Sequence, residues 1–76
     1  MEAKWEVLSY VDAHGPADSE TVALALGFAT RAGSAATLLR LHRHGHLNRY
    51  KCETRAYIYT LSDKGRRWLT WWSRRQ

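Results

Sequence analysis

Residues 30–45 read T-R-A-G-S-A-A-T-L-L-R-L-H-R-H-G, and the spacing of side chains in this stretch decides the predicted fold. At about 100° per residue, Leu38 and Leu41 fall on the same side as Ser34, whereas the opposite side carries small residues and then arginines such as Arg40. The pattern predicts an amphipathic helix with an apolar back. A helix that enters the DNA major groove needs small residues for close approach and arginines for an anionic surface. A helix that only faces solvent would show the same pattern, so the flanking segments must decide.

The preceding segment predicts another helix, joined to this one by a short turn. Either Asp18 or Ser19 is suited to cap a helix that runs to about Leu26 and ends at Gly27. The turn that follows ends at Thr30, which is a suitable cap for the next helix. The order is therefore helix, short glycine-containing turn, helix, which is the helix-turn-helix pattern.

Two short β-strands are predicted after the helix-turn-helix. Residues 46–52 alternate in polarity, and residues 56–61 (A-Y-I-Y-T-L) are rich in residues that favour strands. The charged segment 53–55 joins the strands into a hairpin. Leu47 and Leu61, at its base, are expected to contact the helices. Basic residues toward the tip are expected to reach solvent or phosphate.

Helices are also predicted near both ends of the chain. The first spans residues 3–14 and is stopped by the Gly-Pro pair at 15–16, and the last runs from Asp63 to about Arg74 after the cap residue Ser62. The tryptophans of these helices permit two interpretations. They either close the hydrophobic core or form the seam of a homodimer between the first and last helices. The residues expected at such a seam are Trp5, Trp68, Trp71 and Trp72.

The charge distribution points to an anionic partner for the second half of the chain. The 76 residues are predicted to form one domain, residues 1–76, with a formal net charge of +5. One lysine and five carboxylates give residues 1–30 a charge of −4, whereas eleven Lys/Arg and two carboxylates give residues 31–76 a charge of +9. A polyanion that docks on the basic half fits this asymmetry.

Other sequence features concern the cellular compartment. No run approaches the roughly 18 apolar residues of a membrane span, and the start M-E-A-K-W-E lacks the apolar stretch of a leader peptide. Cys52 is the only cysteine, so an internal disulfide is impossible. We therefore expect a reducing compartment, the cytoplasm, and no membrane partner.

The ordered set of elements resembles the winged helix-turn-helix family, in particular small MarR-like, ArsR-like and PadR-like prokaryotic transcription regulators. The resemblance implies an α+β fold, mostly α, with a three-helix core, a β-hairpin wing and a C-terminal helix. It also implies sequence-specific binding of double-stranded DNA, as in a transcriptional repressor. The last of the matching stretches is similar to the family's Tyr-x-Leu-Thr-x-x-Gly junction. The match covers nearly the whole chain and rests on W-E-V-L-S-Y-V at 5–11, V-A-L-A-L-G at 22–27, L-L-R-L-H-R-H-G-H-L-N-R at 38–49 and Y-I-Y-T-L-S-D-K-G-R-R-W-L at 57–69.

Residues and resemblance together predict a recognition helix at about 31–44 and a basic wing at about 47–61. Arg40 is the candidate for a bidentate contact with guanine, and Thr37 for a contact with a thymine methyl group or a phosphate. The other basic residues are expected at phosphates or in the minor groove, where they give affinity that weakens with salt. The complete candidate set is Arg31, Gly33, Ser34, Ala36, Thr37, Arg40, Arg43, His44, Arg49, Lys51 and Arg55.

Metal binding and catalysis find little support in the sequence. His42 and His44 point about 200° apart on a helix, and His46 belongs to the following strand, so no metal site is predicted. There is no sign of a Ser/His/Asp arrangement or of a glycine-rich phosphate loop, so we expect no catalytic residues, no enzyme activity and no cofactor. No ligand-binding domain accompanies the helix-turn-helix, so no small-molecule ligand is expected.

Two alternatives to a sequence-specific regulator stay open. A winged helix also serves as a protein-interaction module within larger complexes. A chromatin or architectural protein would use the same charges to bind all duplexes alike.

Overall fold

The computed structural model describes residues 4–53 and 57–75 and confirms an α+β fold that is mostly helical. The described residues form four helices and one antiparallel hairpin, an arrangement compatible with a small winged-helix-like fold. In chain order the elements are α1 Lys4–His14, α2 Ser19–Leu26, α3 Arg31–Arg43, β1 Leu47–Lys51, β2 Tyr57–Leu61 and α4 Asp63–Arg74.

Three of the helices begin at the side-chain caps that the sequence indicates. The carboxylate of Asp18, and not Ser19, accepts a hydrogen bond from the main-chain N–H of Thr21 at 2.8 Å. The Thr30 hydroxyl accepts from Gly33 N at 3.0 Å. The hydroxyl of Ser62 accepts from the N–H three residues later, also at 3.0 Å. Each cap satisfies a donor that the first turn of a helix leaves unpaired, which fixes where the helix starts.

The turn between α2 and α3 sets the angle of the helix-turn-helix. Gly27 adopts a left-handed conformation, with φ of 74°, and ends α2. The half-buried ring of Phe28 then packs against the hydrophobic core. The two helix axes are bent by 111°, within the range typical of helix-turn-helix motifs.

The hairpin is joined to a third segment that the sequence did not predict. β1 and β2 pair antiparallel with Leu47 opposite Leu61 and Arg49 opposite Tyr59. On its other side, Tyr59 exchanges main-chain hydrogen bonds of 2.8 and 3.1 Å with Ala17, between α1 and α2. This pairing joins the middle of β2 to the linker that precedes the helix-turn-helix.

One hydrophobic core holds the helices and the hairpin together. Both base residues of the hairpin contribute as expected, since Leu47 is fully buried and Leu61 is partly buried against the core. α2 contributes less than its apolar composition predicts, because Ala25 is exposed and Leu24 is 81% exposed. The buried hydrophobic residues are Val7, Leu8, Val11, Ala17, Val22, Leu38, Leu41, Leu47 and Tyr59.

A glycine allows α4 to contact the start of β1 at close range. A Cβ atom on Gly65 would collide with the main-chain oxygen of His46 and would lie 2.9 Å from Cδ1 of Leu61. The Ser62 hydroxyl donates a hydrogen bond of 2.5 Å to the oxygen of Gly45 at the same junction. The N-terminus of α4 is therefore fixed against the segment that joins α3 to β1.

No single helix in the described ranges has both the length and the apolar character needed to cross a membrane.

Candidate nucleic-acid interface

One side of α3 is turned away from the rest of the molecule, and we call it the outward face of α3. It is defined by four exposed residues, Ala32, Gly33, Ala36 and Arg40, the half-buried Thr37, and Arg43 and His44 at its C-terminal end. Small residues therefore occupy the first two turns of this face and arginines the last two. Of this set, only Ala32 was missed by the sequence analysis, although it lies one helical turn before Ala36.

Ser34 is not on the outward face, which corrects the prediction that it lines the interface. Its side chain is 0% exposed. Its hydroxyl donates a hydrogen bond of 2.8 Å to the main-chain oxygen of Ser19, at the start of α2. Ser34 therefore attaches α3 to α2, and its position beside Leu38 and Leu41 on the helical projection already indicated this role.

Arg31 is exposed but does not share the outward face with Arg40. The two residues lie about half a turn apart around the helix axis. Arg31 instead points toward α2, where its guanidinium is 3.9 Å from the carboxylate of Glu20. Both side chains are about two-thirds exposed, so this ion pair adds little stability and can be exchanged for another anion.

The two arginines of the outward face lack an ion-pair partner among the described residues. Within residues 4–53 and 57–75, no ion pair engages Arg40 or Arg43. The Thr37 hydroxyl donates to the oxygen of Gly33 at 3.0 Å, which leaves its methyl group and its lone pairs for a ligand. The face thus presents two free guanidiniums next to a surface without bulky side chains.

A lysine from α4 adds positive charge at the C-terminal end of α3. Lys64 donates a hydrogen bond of 2.8 Å from Nζ to the main-chain oxygen of His44. This contact satisfies a free carbonyl and places a cation where the helix dipole favours one. Lys64 could not be assigned to this site from the sequence, since only the packing of α4 brings it to this position.

The described part of the hairpin contributes two further cations, of which one stacks on an aromatic ring and the other is exposed. The Arg49 guanidinium lies over the ring of Tyr57, 4.1 Å from its centroid, and is half-buried. Lys51 and Tyr50 are exposed, Tyr50 by 57%. Arg55, also predicted to contact phosphate, lies outside the described residues. β1 packs against α3, so Arg49 and Lys51 lie on a strand adjacent to that helix.

The three histidines near the end of α3 do not converge. Nδ1 of His42 lies 3.0 Å from the oxygen of Leu47 and therefore carries the proton that this bond requires. His44 is exposed, whereas His46 is 6% exposed and contacts the edge of the Trp68 ring. In the described part of the chain, no three His, Cys, Asp or Glu side chains form a metal-binding group.

The four tryptophans proposed for a dimer seam fall into two environments. Trp68 and Trp72 are half-buried and stack with ring centroids 5.5 Å apart. Trp5, 41% exposed, lines a groove between α1 and α4 together with Trp72. Trp71, 50% exposed, lies instead in a separate groove on the outer side of α4, among arginines.

Comparisons of this chain with known protein families, with curated proteins and with solved structures gave no significant match.

Proposed function

We propose that this protein binds duplex DNA, with the outward face of α3 in the major groove and the hairpin on the adjacent backbone. The observation that carries the proposal is the composition of that face, where small side chains precede two guanidiniums that form no ion pair with any residue the structure describes. The small residues let the helix backbone approach the base edges, and the arginines provide donors that match them.

Specific residues have distinct roles in this proposal. Arg40 makes the bidentate contact with guanine, and Thr37 contacts a thymine methyl group or a phosphate. Arg43, His44, Arg49 and Lys51 contact phosphates and provide affinity that does not depend on sequence. Arg55 is assigned the same role from the sequence alone.

Arg31 contributes at the N-terminal end of α3 in a different way. Binding of a phosphate there requires the guanidinium to leave Glu20, and the length and weakness of that ion pair make the exchange inexpensive. Asp18 is a nearby negative charge, and the N–H of Thr21 lowers the pKa of its carboxyl group. A carboxylate at this position repels phosphates. We therefore expect the duplex to approach α3 from the side of Arg40 and not from the N-terminus of α2.

Base recognition by Arg40 distinguishes this proposal from its rivals. An architectural protein would bind all duplexes with equal affinity, and a protein-interaction module would not bind duplexes at physiological salt. We favour sequence-specific binding because α3 carries potential base contacts as well as charge. Such binding is typical of a transcription regulator acting in the cytoplasm of a prokaryotic cell.

The experiment is selection of bound duplexes from a random pool, followed by anisotropy titrations of the selected and of random duplex at several salt concentrations. Arg40→Ala is expected to weaken binding to the selected duplex by about 1–3 kcal/mol and to weaken binding to random duplex much less. Arg67→Ala, an exposed arginine on α4, removes the same charge and serves as the control. Equal losses on both duplexes would favour an architectural protein, and absence of duplex binding would favour the interaction module.

We also propose that two copies of the chain bind together, because one small module gives limited affinity and paired half-sites increase it. The groove between α1 and α4 is the best seam. Uncharged side chains line it throughout, namely Trp5, Ser9, Leu69, Trp72 and Ser73.

A further inference from the structure

Arginines surround the exposed ring of Trp71 on the outer side of α4. Trp71 is 50% exposed and lies in a groove formed by one side of this helix. The Arg75 guanidinium stacks over the ring, 4.8 Å from its centroid. We call this surface the arginine face of α4, and it consists of Arg66, Arg67, Thr70, Trp71, Arg74 and Arg75.

The positive charge of this face is largely uncompensated. Arg66 lies 3.2 Å from Asp12 of α1, and both side chains are substantially exposed. Neither Arg67 nor Arg74 has an ion pair among the described residues. Asp63 is the only carboxylate within α4. An aromatic ring between free guanidiniums is therefore the main feature of this surface.

We propose that the arginine face of α4 binds an acidic protein segment that carries an aromatic or other apolar side chain. The apolar side chain packs on Trp71, and flanking carboxylates pair with Arg67 and Arg74. Guanidinium and carboxylate groups form strong bidentate hydrogen bonds, and tryptophan and arginine are both enriched among the residues that contribute most to binding at protein interfaces. This function is separate from DNA binding, since α4 packs on α1 and its arginine face is not part of the outward face of α3.

Other occupants match the face less well. A second copy docked symmetrically on the same face would place arginines against arginines, which costs several kcal/mol in comparable interfaces. A lipid bilayer requires an apolar side facing outward, whereas Arg67, Thr70 and Arg74 occupy the centre of this side. A DNA duplex would pair with the arginines but would leave the Trp71 ring without an apolar partner, because its bases are stacked inside.

The test uses a fluorescently labelled 12-residue peptide of Glu and Asp with one central Phe, titrated with the full chain at low salt. Arg67→Glu/Arg74→Glu reverses two charges on the arginine face. Arg40→Glu/Arg43→Glu makes the same change in net charge on the outward face of α3 and is the matched control. All four arginines are exposed, so both variants should keep the fold, which circular dichroism verifies. We expect the α4 variant to bind the peptide at least about tenfold more weakly, and the α3 variant to lose less than about threefold.

A second titration addresses the tryptophan ring. Replacing the Phe of the peptide by Ser should weaken binding to the wild-type protein but not to Trp71→Ala, since the partner of the Phe is then missing. Equal effects of the Phe replacement on both proteins overturn the proposal. So do equal losses from the two charge reversals, or no binding of the peptide by the wild-type chain.

The same variants separate this proposal from the DNA-binding proposal. If Arg67→Glu/Arg74→Glu reduces duplex binding as strongly as the α3 variant does, α4 belongs to the nucleic-acid surface and the acidic-segment proposal is wrong. If neither variant affects duplex binding, the DNA-binding proposal is wrong. The acidic-segment proposal is then judged by the peptide titrations alone.

Discussion

The hydroxyl of Ser34 donates a hydrogen bond to the main-chain oxygen of Ser19 at 2.8 Å, so a side chain near the start of the predicted recognition helix faces inward. Ser34 is fully buried, and the bond crosses from α3 to α2. The angle between the two helices therefore depends on a polar contact as well as on apolar packing.

Ser34→Ala should lower the free energy of unfolding by about 1 kcal/mol, because it removes a buried hydrogen-bond donor. Urea denaturation measures this change. Duplex affinity of the folded variant should stay the same, since Ser34 is not on the outward face of α3. Ser73→Ala is the control, because its exposed hydroxyl bonds only within α4. A large loss of duplex affinity with unchanged stability would indicate that Ser34 contacts DNA after all.

Lys51→Ala should weaken binding to every duplex by a similar factor, because in the proposed complex this exposed lysine of β1 contacts phosphate and not bases. The slope of log affinity against log salt concentration should decrease by about 1. Anisotropy titrations at several salt concentrations give the slope. Arg67→Ala removes the same charge from α4 and is the control. If it decreases the salt slope as much as Lys51→Ala does, the effect reflects net charge and not a contact made by the hairpin.

Stability should decline as the pH falls below about 6.5, because His46 resists protonation in the folded chain. Burial, and then the positive charges of Lys4, Lys64 and His44, lower the pKa of His46 from 6.5. The unfolded chain therefore binds the proton more readily, and the stability contribution is complete above 6.5 and lost as the pH falls through the lowered value. The measurement is the free energy of unfolding between pH 7.5 and about 5.

Two variants isolate the histidine responsible for this pH dependence. His46→Gln should reduce the slope of stability against pH, whatever its effect on absolute stability. His14→Gln, at an exposed position, should retain the slope. An unchanged slope in His46→Gln would assign the effect to another group.

Gly65→Ala should destabilise the chain by about 2 kcal/mol or more, although alanine is normally preferred in a helix. The added methyl group meets the main-chain oxygen of His46, which cannot move without shifting the start of β1. Thermal unfolding measures the loss. Thr70→Ala, exposed on the same helix, should change stability little, and a neutral Gly65→Ala would show that α4 can move away from β1 at low cost.

Trp5→Ser should weaken self-association, because Trp5 lines the uncharged groove between α1 and α4. Removal of a central interface tryptophan typically raises the dissociation constant by tenfold or more, on the order of 2 kcal/mol. Sedimentation equilibrium measures the constant. Trp71→Ser removes a tryptophan of similar exposure that does not line this groove, so it should weaken self-association less than Trp5→Ser does. A monomeric wild-type chain, or a larger effect of Trp71→Ser, would contradict this seam.

Helix starts and the hairpin pairing could be predicted because local chemistry determines them. Asp18, Thr30 and Ser62 each stand three residues before the N–H that they cap, and this spacing is visible in the sequence. The pairing of Leu47 with Leu61 follows from their burial at the hairpin base.

Contacts between distant segments could not be predicted in the same way. Ala17 is the single residue of its segment that pairs with Tyr59, and one isolated residue leaves no periodic pattern in the sequence. The directions of Arg31 and Lys64 depend on where α2 and α4 pack, so the sequence indicated their charge but not their neighbours. The prediction of Ser34 at the interface is wrong because Ser34 lies on the same side of the helical projection as Leu38 and Leu41, which is the buried side of α3.

The pairing of Tyr59 with both Arg49 and Ala17 leaves β1 as the outermost strand of the described sheet. An outer strand has unpaired main-chain groups that can template aggregation with other copies, and charged side chains are a common protection against it. Arg49 and Lys51 provide that protection on β1, so they have a role in solubility that is independent of any ligand. Variants that neutralise both should therefore precipitate at lower protein concentration, even in the absence of DNA.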